Sequence, residues 1–406
     1  MKHTSGNTSG HPLFLPLAAA SNFFGMTVAT VLGPLLVDMA DEFHTTVAVT
    51  GQLATVTALP WALSAVSSGP FSDTYGRKPL LLLGIGLMMI GSLGAALAPS
   101  FAWIMIARLF TGMGGMVPPV TMTTLADTYP IERRGRVLGL VMGVGTLGPV
   151  LAVPLLALIA SIFGWRSAFV ILAGLLSIHF VALVLWFPRT SSTRATKLDF
   201  RRRILLPALL PQVRGLVAAN LLVKSAYSVL TTYVAAYLIK SYGLTLAGVA
   251  LPVALISLGA TPAGILGGLV ADRPGPLLRA GLIVLLGSGI ALAMFTLTPV
   301  LWVSILLGIL LNIALQLPSP LTLNMIMEGS KESRGTMTGV FGLSTQLGIV
   351  SGAAAGGLAL GFVGFVGLGY MSLAVCLVSG FLYLSLQRRG ARTAESSGIV
   401  HDGPSI

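Results

Sequence analysis

Charge is scarce in this sequence: Asp, Glu, Lys and Arg make up 9% of its 406 residues, where soluble proteins average about 25%. With 55% of residues hydrophobic and a mean hydropathy of +0.91, the chain has too little polar surface to cover a water-soluble core, which excludes that class of fold. Cysteine is nearly absent. Cys376 is the only one, so neither a disulfide framework nor a cysteine metal centre can form within the chain. Long polar stretches are missing as well. The longest, Pro188 to Arg214, is shorter than the ~50 residues of the smallest ordinary domains, which leaves no room for an appended enzyme. Acids are rarer than bases, 12 against 24, and none falls in the middle of an apolar run; the nearest are Asp38, Asp127 and Glu328. No paired intramembrane acids or histidine cluster suggests catalysis. The Gly-x-x-x-x-Gly-Lys-Ser/Thr phosphate loop is absent too, so direct coupling to nucleotide hydrolysis is not expected. The chain therefore reads as a non-enzyme with no cofactor and no metal.

What the sequence does have is a succession of apolar runs. A hydrocarbon core about 30 Å thick takes about 20 apolar residues per helix, and the runs place spans near 13 to 36, 46 to 68, 80 to 98, 101 to 126, 137 to 160, 167 to 187, 215 to 239, 247 to 270, 279 to 297, 301 to 326, 336 to 360 and 364 to 386. The expected fold is all-α, integral to a membrane, with twelve transmembrane helices. Twenty of the 24 Lys and Arg fall in the termini and the loops on their side, whereas the first loop opposite is acidic, with Asp38, Asp41 and Glu42. The positive-inside rule then puts both termini in the cytoplasm, and it explains the net charge of +12 without nucleic acid. The leader lacks the small-residue cleavage pattern of a signal peptide. Short loops suit the inner membrane of a bacterium, and residues from Ala391 onward read as a polar, disordered tail.

The two halves of the chain repeat. At an offset of about 200 residues, Arg134-Gly135 falls on Arg334-Gly335, Gly139 on Gly339, Pro118 on Pro318 and Gly148 on Gly348; one residue less aligns Gly69 and Asp73 with Gly268 and Asp272, and Trp103 with Trp302. This gives a cytoplasmic N-terminus at 1–12, a six-helix bundle at 13–187, a basic cytoplasmic linker at 188–214, a second bundle at 215–387 and a tail at 388–406. The even number of spans per half makes the repeats parallel and puts a pseudo-twofold axis between them.

After the second span comes Gly69-Pro-Phe-Ser-Asp73-Thr-Tyr-Gly76-Arg77-Lys78. It resembles the loop signature of the major facilitator superfamily, Gly-x-x-x-Asp-x-x-Gly-Arg-Arg/Lys. A weaker copy, Gly268-Leu-Val-Ala-Asp272, stands in the second half. Arg108-Leu-Phe-Thr-Gly112 resembles the superfamily's fourth-helix motif, and Gly164-Trp165-Arg166 its approach to the sixth helix. The likeness covers residues 13 to 387 and is greatest to the twelve-span drug/proton antiporter branch. It implies that Asp73 belongs to a cytoplasmic latch, pairing with Arg77 or Arg134 and docking the eleventh span; an ordinary topology signal is the other reading. Gly139, Gly143, Gly145, Gly148 and Pro149 are similar to the superfamily's antiporter motif in the fifth helix, with Val144 and Ala152-Val153 standing where that motif has glycine. A generic small-residue helix interface fits them equally well.

The resemblance further implies that the first, fourth, seventh and tenth helices line a central cavity, and the polar residues of these spans agree: Asn22, Thr27 and Thr30; Arg108; Asn220, Lys224, Tyr227 and Thr231; Asn312 and Gln316. The seventh-span residues follow one another at four, three and four positions, one face of a helix. Lys224 lies about 14 Å from the cytoplasmic end of its span, too deep to snorkel. Such a charge costs at least about 2.5 to 3.5 kcal/mol on insertion scales, so a role in the solute path is the default reading, with a structural ion pair or a shifted, neutral lysine as the other readings. Arg108 fits a solute or coupling role and a helix-joining role alike. His179, on the usually peripheral sixth span, reads as a packed or carbonyl-bonded residue. With no carboxylate beside them, Lys224 and Arg108 favour an anionic or neutral solute. The expected function is a proton-coupled exporter of a small amphipathic or anionic compound, acting as a monomer in the bilayer; an importer or facilitator of an organic anion is the alternative. If the latch reading is right, Asp73→Asn abolishes transport in vesicles while membrane insertion stays intact, and unchanged transport counts against it.

Overall fold

The computed structural model describes residues 12–188, 211–271, 275–297, 300–328 and 334–396. It contains twelve helices long and apolar enough to cross a membrane. In chain order they are α1 (Phe14–Glu42), α2 (Val47–Tyr75), α3 (Arg77–Ala96), α4 (Phe101–Thr128), α5 (Ile131–Leu147 continuing through Gly148–Ala152 and Val153–Phe163), α6 (Trp165–Trp186), α7 (Pro211–Tyr242), α8 (Leu246–Leu258 and Ala260–Ala271), α9 (Pro276–Thr296), α10 (Leu301–Gln316 and Pro318–Glu328), α11 (Arg334–Val363) and α12 (Phe365–Ser396). Helices are the form these runs must take, since lipid offers the backbone no hydrogen-bond partner. α7 begins at Pro211, inside the stretch expected as linker, and proline is well suited to a helix start. α12 continues to Ser396, past the start of the expected tail at Ala391. The rest of the linker and tail lies outside the described residues.

The duplication read from the sequence recurs in the backbone. Among the described residues a positive φ occurs at His44, Gly76 and Gly164, and again at Gly243, Gly275 and Gly364, each about 200 residues later. The helix starts beyond the first of these pairs match too: Thr46 caps α2 by accepting from the Val49 N–H, and Thr245 caps α8 by accepting from the Gly248 N–H. Equivalent corners turned by equivalent means make two six-helix halves.

Several spans are not continuous helices, for a local reason. α1 breaks at Val31 just before Gly33-Pro34, α4 tightens into a 3₁₀ turn at Gly114–Met116 before Pro118 and Pro119, α5 widens into a π turn at Gly148–Ala152 containing Pro149, and α10 breaks at Leu317 between Gln316 and Pro318. A proline removes the N–H that the preceding turn needs and crowds its carbonyl. These interruptions fall within the bundle, where neighbouring helices can take up the freed groups.

The halves meet at the end of the bundle opposite the basic loops, here called the far end. α2 packs on α11, the far segments of α5 and α8 pack together, and α1 packs on α7. The approach is close because glycine lies on the seam: a Cβ on Gly51 would fall 2.3 Å from the Tyr233 ring, one on Gly33 would fall 2.8 Å from the Thr231 carbonyl oxygen, and one on Gly357 would fall 3.0 Å from the Ala48 carbonyl oxygen. Gln52 donates to the Ala354 carbonyl at 3.3 Å, and Lys240 pairs with Asp41 at 3.9 Å. At the basic end the pattern reverses. Among the described residues, Gly69, Gly139, Gly143 and Gly342 each face open space there. Among the described residues, the halves are seated on each other at the far end, and these glycines of α2, α5 and α11 are uncovered at the basic end.

Within the second half, α11 rests on α7 through Gly348 and Gly352, and a Cβ on Gly352 would sit 2.2 Å from the Ser225 carbonyl oxygen. That contact is backbone and cannot rotate away. Gly352→Ala is expected to lower the melting temperature of the purified protein by several degrees, whereas Gly143→Ala, which enters open space, leaves it unchanged; equal melting of the two variants contradicts this packing.

Candidate solute-binding site

Lys224 is the centre of the second half's polar cluster. Its side chain is buried, with 5% of its surface exposed, because α11 approaches α7 at this level: a Cβ on Gly348 would fall 2.7 Å from the Lys224 Cβ. The ammonium donates to Gln316 Oε1 on α10 and lies 5.3 Å from the centroid of the Tyr227 ring. The Tyr227 hydroxyl also faces Gln316. Gln316 and Tyr227 are half-buried and form the rim behind which Lys224 sits. Gln316 stands two residues before Pro318, where the α10 hydrogen-bond ladder loses a donor while the backbone at Leu317 stays helical, at φ −56° and ψ −39°. The ion pairs among the described residues are Arg77–Asp127, Arg166–Glu42 and Lys240–Asp41, so Lys224 carries its charge among neutral groups.

The other polar residues expected on the cavity face divide by what they touch. Asn220 donates from Nδ2 to Ser344 Oγ at 2.7 Å and to Thr345 Oγ1 at 3.0 Å, which turns it toward α11 instead of continuing one stripe with Lys224. Thr231 returns its hydroxyl to the Tyr227 carbonyl of its own helix at 3.1 Å. Asn312 donates to the Ile256 carbonyl at 2.7 Å, beside the break in α8, and its Oδ1 is buried without a partner. In the first half, Asn22 donates to the Val141 carbonyl of α5 at 3.0 Å. Thr27 and Thr30 return their hydroxyls to Phe23 and Met26 of α1. The structure thus brings Lys224, Tyr227 and Gln316 together, while Asn22, Asn220 and Asn312 bond to neighbouring helices.

Arg108 is almost completely enclosed, at 1% exposure. Nε donates to Thr57 Oγ1 on α2 at 2.9 Å, Nη2 reaches toward the Val28 carbonyl at 3.5 Å near the break in α1, and the guanidinium lies 6.0 Å from the Phe169 ring centroid on α6. Nη1 is buried without a partner. The residue ties four helices together and is walled off from the second half. His179 is packed, as read from the sequence, but on a hydroxyl: its Nε2 shares a hydrogen bond with Ser21 Oγ at 2.9 Å, and Ser21 Oγ also lies 3.0 Å from the Leu17 carbonyl oxygen.

The loop after α2 is organised by a residue the sequence did not single out as a partner. Arg77 donates to Asp127 Oδ2 at 2.5 Å and to Thr123 Oγ1 at 2.6 Å, both on α4, and to Ser72 Oγ at 3.3 Å. Lys78 caps the C-terminus of α6 through the Val184 and Phe187 carbonyls, at 2.8 and 2.6 Å. Gly76 takes the positive φ of 90° that links α2 to α3. The side chains of Asp73 and Arg134, and the whole of Asp272, lie outside the described residues. In α5, Gly145 and Gly148 pack on α1, where their Cβ atoms would meet Asn22 Nδ2 at 2.2 Å and Thr27 Oγ1 at 2.6 Å, while Gly143 faces open space and Pro149 sits in the π turn.

Comparison with known proteins agrees with this architecture. The chain is 28% identical over 250 residues to the uncharacterized MFS-type transporter YbcL of Bacillus subtilis, covering 60% of this chain and 62% of that protein. It is 30% identical over 184 residues to Multidrug resistance protein 3 of the same species, covering 44% and 34%. The matched region thus spans less than two thirds of the length of these curated relatives. A bacterial homologue of the human lysosomal transporter Spinster, solved in an inward-facing and unoccupied conformation, superimposes with a TM-score of 0.75 at 19% identity, over 96% of this chain and 98% of that one. The family profile described as the Major Facilitator Superfamily matches residues 18–329, most of the chain and both of its halves, and the chain belongs to that superfamily.

Proposed function

We propose that the chain is a secondary active transporter that moves a small amphipathic or anionic compound by alternating access, working as a proton-coupled exporter. The observation that carries this reading is the asymmetry of the bundle: a glycine-seated seam at the far end, separated glycine faces at the basic end, and between them a buried cation with only neutral neighbours. With the basic loops taken as cytoplasmic, this is an inward-open state of a monomer in a bacterial inner membrane. Exchange of the two ends is then a rocking of one half against the other, in which the open glycine surfaces of α2, α5 and α11 come together as the far-end seam parts. Arg77, Lys78 and Asp127 hold the basic loop in position for that closure, with Asp73, Arg134 and Asp272 as the remaining parts of the latch.

Export rests on the glycine-proline pattern of α5 and on the kinship with a multidrug resistance protein. Uptake of an organic anion on the same scaffold is favoured by the departures from that pattern at Val144, Ala152 and Val153. Sealed vesicles with an imposed pH gradient separate the two by the direction of accumulation. The alternating seam has its own test. A Cβ on Gly361 would lie 3.6 Å from the Ala48 Cβ, within the ~3.5–4.5 Å that a disulfide spans. In an Ala48→Cys/Gly361→Cys protein lacking Cys376, oxidation is expected to abolish transport and reduction to restore it. Full transport by the crosslinked protein would exclude parting of the far end.

A further inference from the structure

Lys224 is held by a single hydrogen bond, to a neutral acceptor, Gln316 Oε1. An ammonium has three donors, so two have no acceptor in a position that is 95% enclosed; an exposure of 5% leaves little water to take their place. The other buried cation of the spans cannot share the site, because Arg108 is 1% exposed and turned to Thr57, Val28 and Phe169 within the first half. The cluster therefore offers one positive charge. It also lacks the planar fork with which arginine grips phosphate or a second carboxylate oxygen.

From this geometry we infer that Lys224 receives the one carboxylate of a monovalent organic acid, and that Gln316 Oε1 keeps the place of a carboxylate oxygen while the site is empty. The inference rests on the transporter reading above and names its solute class. An amide carbonyl is a neutral stand-in for a carboxylate: it accepts from the ammonium but leaves the charge uncompensated. Gln316 is half-buried at the rim of the cluster, so its side chain has room to turn aside. The Tyr227 ring beside the ammonium gives the acid's apolar body a flat surface. A dianion would bring one negative charge for which the cluster has no partner, and in a low-dielectric site that charge is costly.

The test is a binding titration by thermal shift at fixed pH, using purified full-length protein with acetate, octanoate and benzoate, with phthalate as dianion and benzamide as neutral isostere. At least one monocarboxylate is expected to bind about tenfold or more tightly than phthalate. Lys224→Gln is expected to weaken that monocarboxylate at least about tenfold, as truncating a buried charge partner does. Gln316→Glu supplies an internal carboxylate and is expected to weaken it equally. Gln316→Ala, which removes the stand-in, retains or tightens it. Benzamide affinity and the unliganded melting temperature serve as folding controls for all three. Phthalate binding as tight as benzoate, undiminished binding in Gln316→Glu, or no binding by any monocarboxylate would overturn the inference. Vectorial transport that persists without preference for monocarboxylates removes this inference alone, whereas no vectorial movement of any solute removes the transporter reading beneath it.

Discussion

A cation enclosed by neutral groups in the middle of a membrane protein is a constraint on everything around it. Desolvating an ammonium is expensive, and Lys224 recovers part of the cost from one glutamine oxygen and one tyrosine ring. The arrangement depends on a backbone feature, since Gly348 lets α11 close over the lysine stem, and on α10, which carries Gln316 at the same level. Arg108 shows the contrasting solution. A hydroxyl, a carbonyl and an aromatic face from three other helices surround it, so its charge is spent on cohesion of the first half. Two intramembrane cations thus have different physical roles, and the difference lies in their neighbours more than in their depth.

The halves are copies in their corners and differ in their centres. The positive-φ turns and threonine caps recur, as expected if loop geometry fixes the bundle topology. α4 and α10 are both interrupted before proline, yet α1 is broken where α7 is continuous, and α5 carries a π turn where α11 carries none. The position in α1 corresponding to Lys224, about 200 residues earlier, falls at Phe24-Gly25, which is apolar. Duplication supplied a symmetric frame, and divergence placed the buried lysine in one half.

Composition and loop patterning made the fold legible, because a bilayer permits few alternatives to apolar helices of fixed length. The depth of Lys224 and its lack of an acidic neighbour could be read for the same reason. Face assignment was less transparent. Asn220, Lys224, Tyr227 and Thr231 share a helical stripe in projection, but α7 is surrounded, and Ser344 and Thr345 draw Asn220 toward α11. Periodicity locates a face without saying which neighbour covers it. The pairing of Arg77 with Asp127 was equally hidden, since the partners stand fifty positions apart and only the packing of α4 against the α2–α3 corner brings them together. The far-end seam around Tyr233, Gly51 and Gly357 left no motif in the sequence, because its signal is the absence of side-chain atoms at three scattered glycines.

Water access to the rim in front of Lys224 tests the central claim most directly. In a Gln316→Cys protein without Cys376, a membrane-impermeant charged thiol reagent applied to the face bearing the basic loops should label the new cysteine, and an apolar reagent confined to the lipid phase should not label it faster. Labelling by the lipid-phase reagent alone would place residue 316 against the acyl chains and contradict the account.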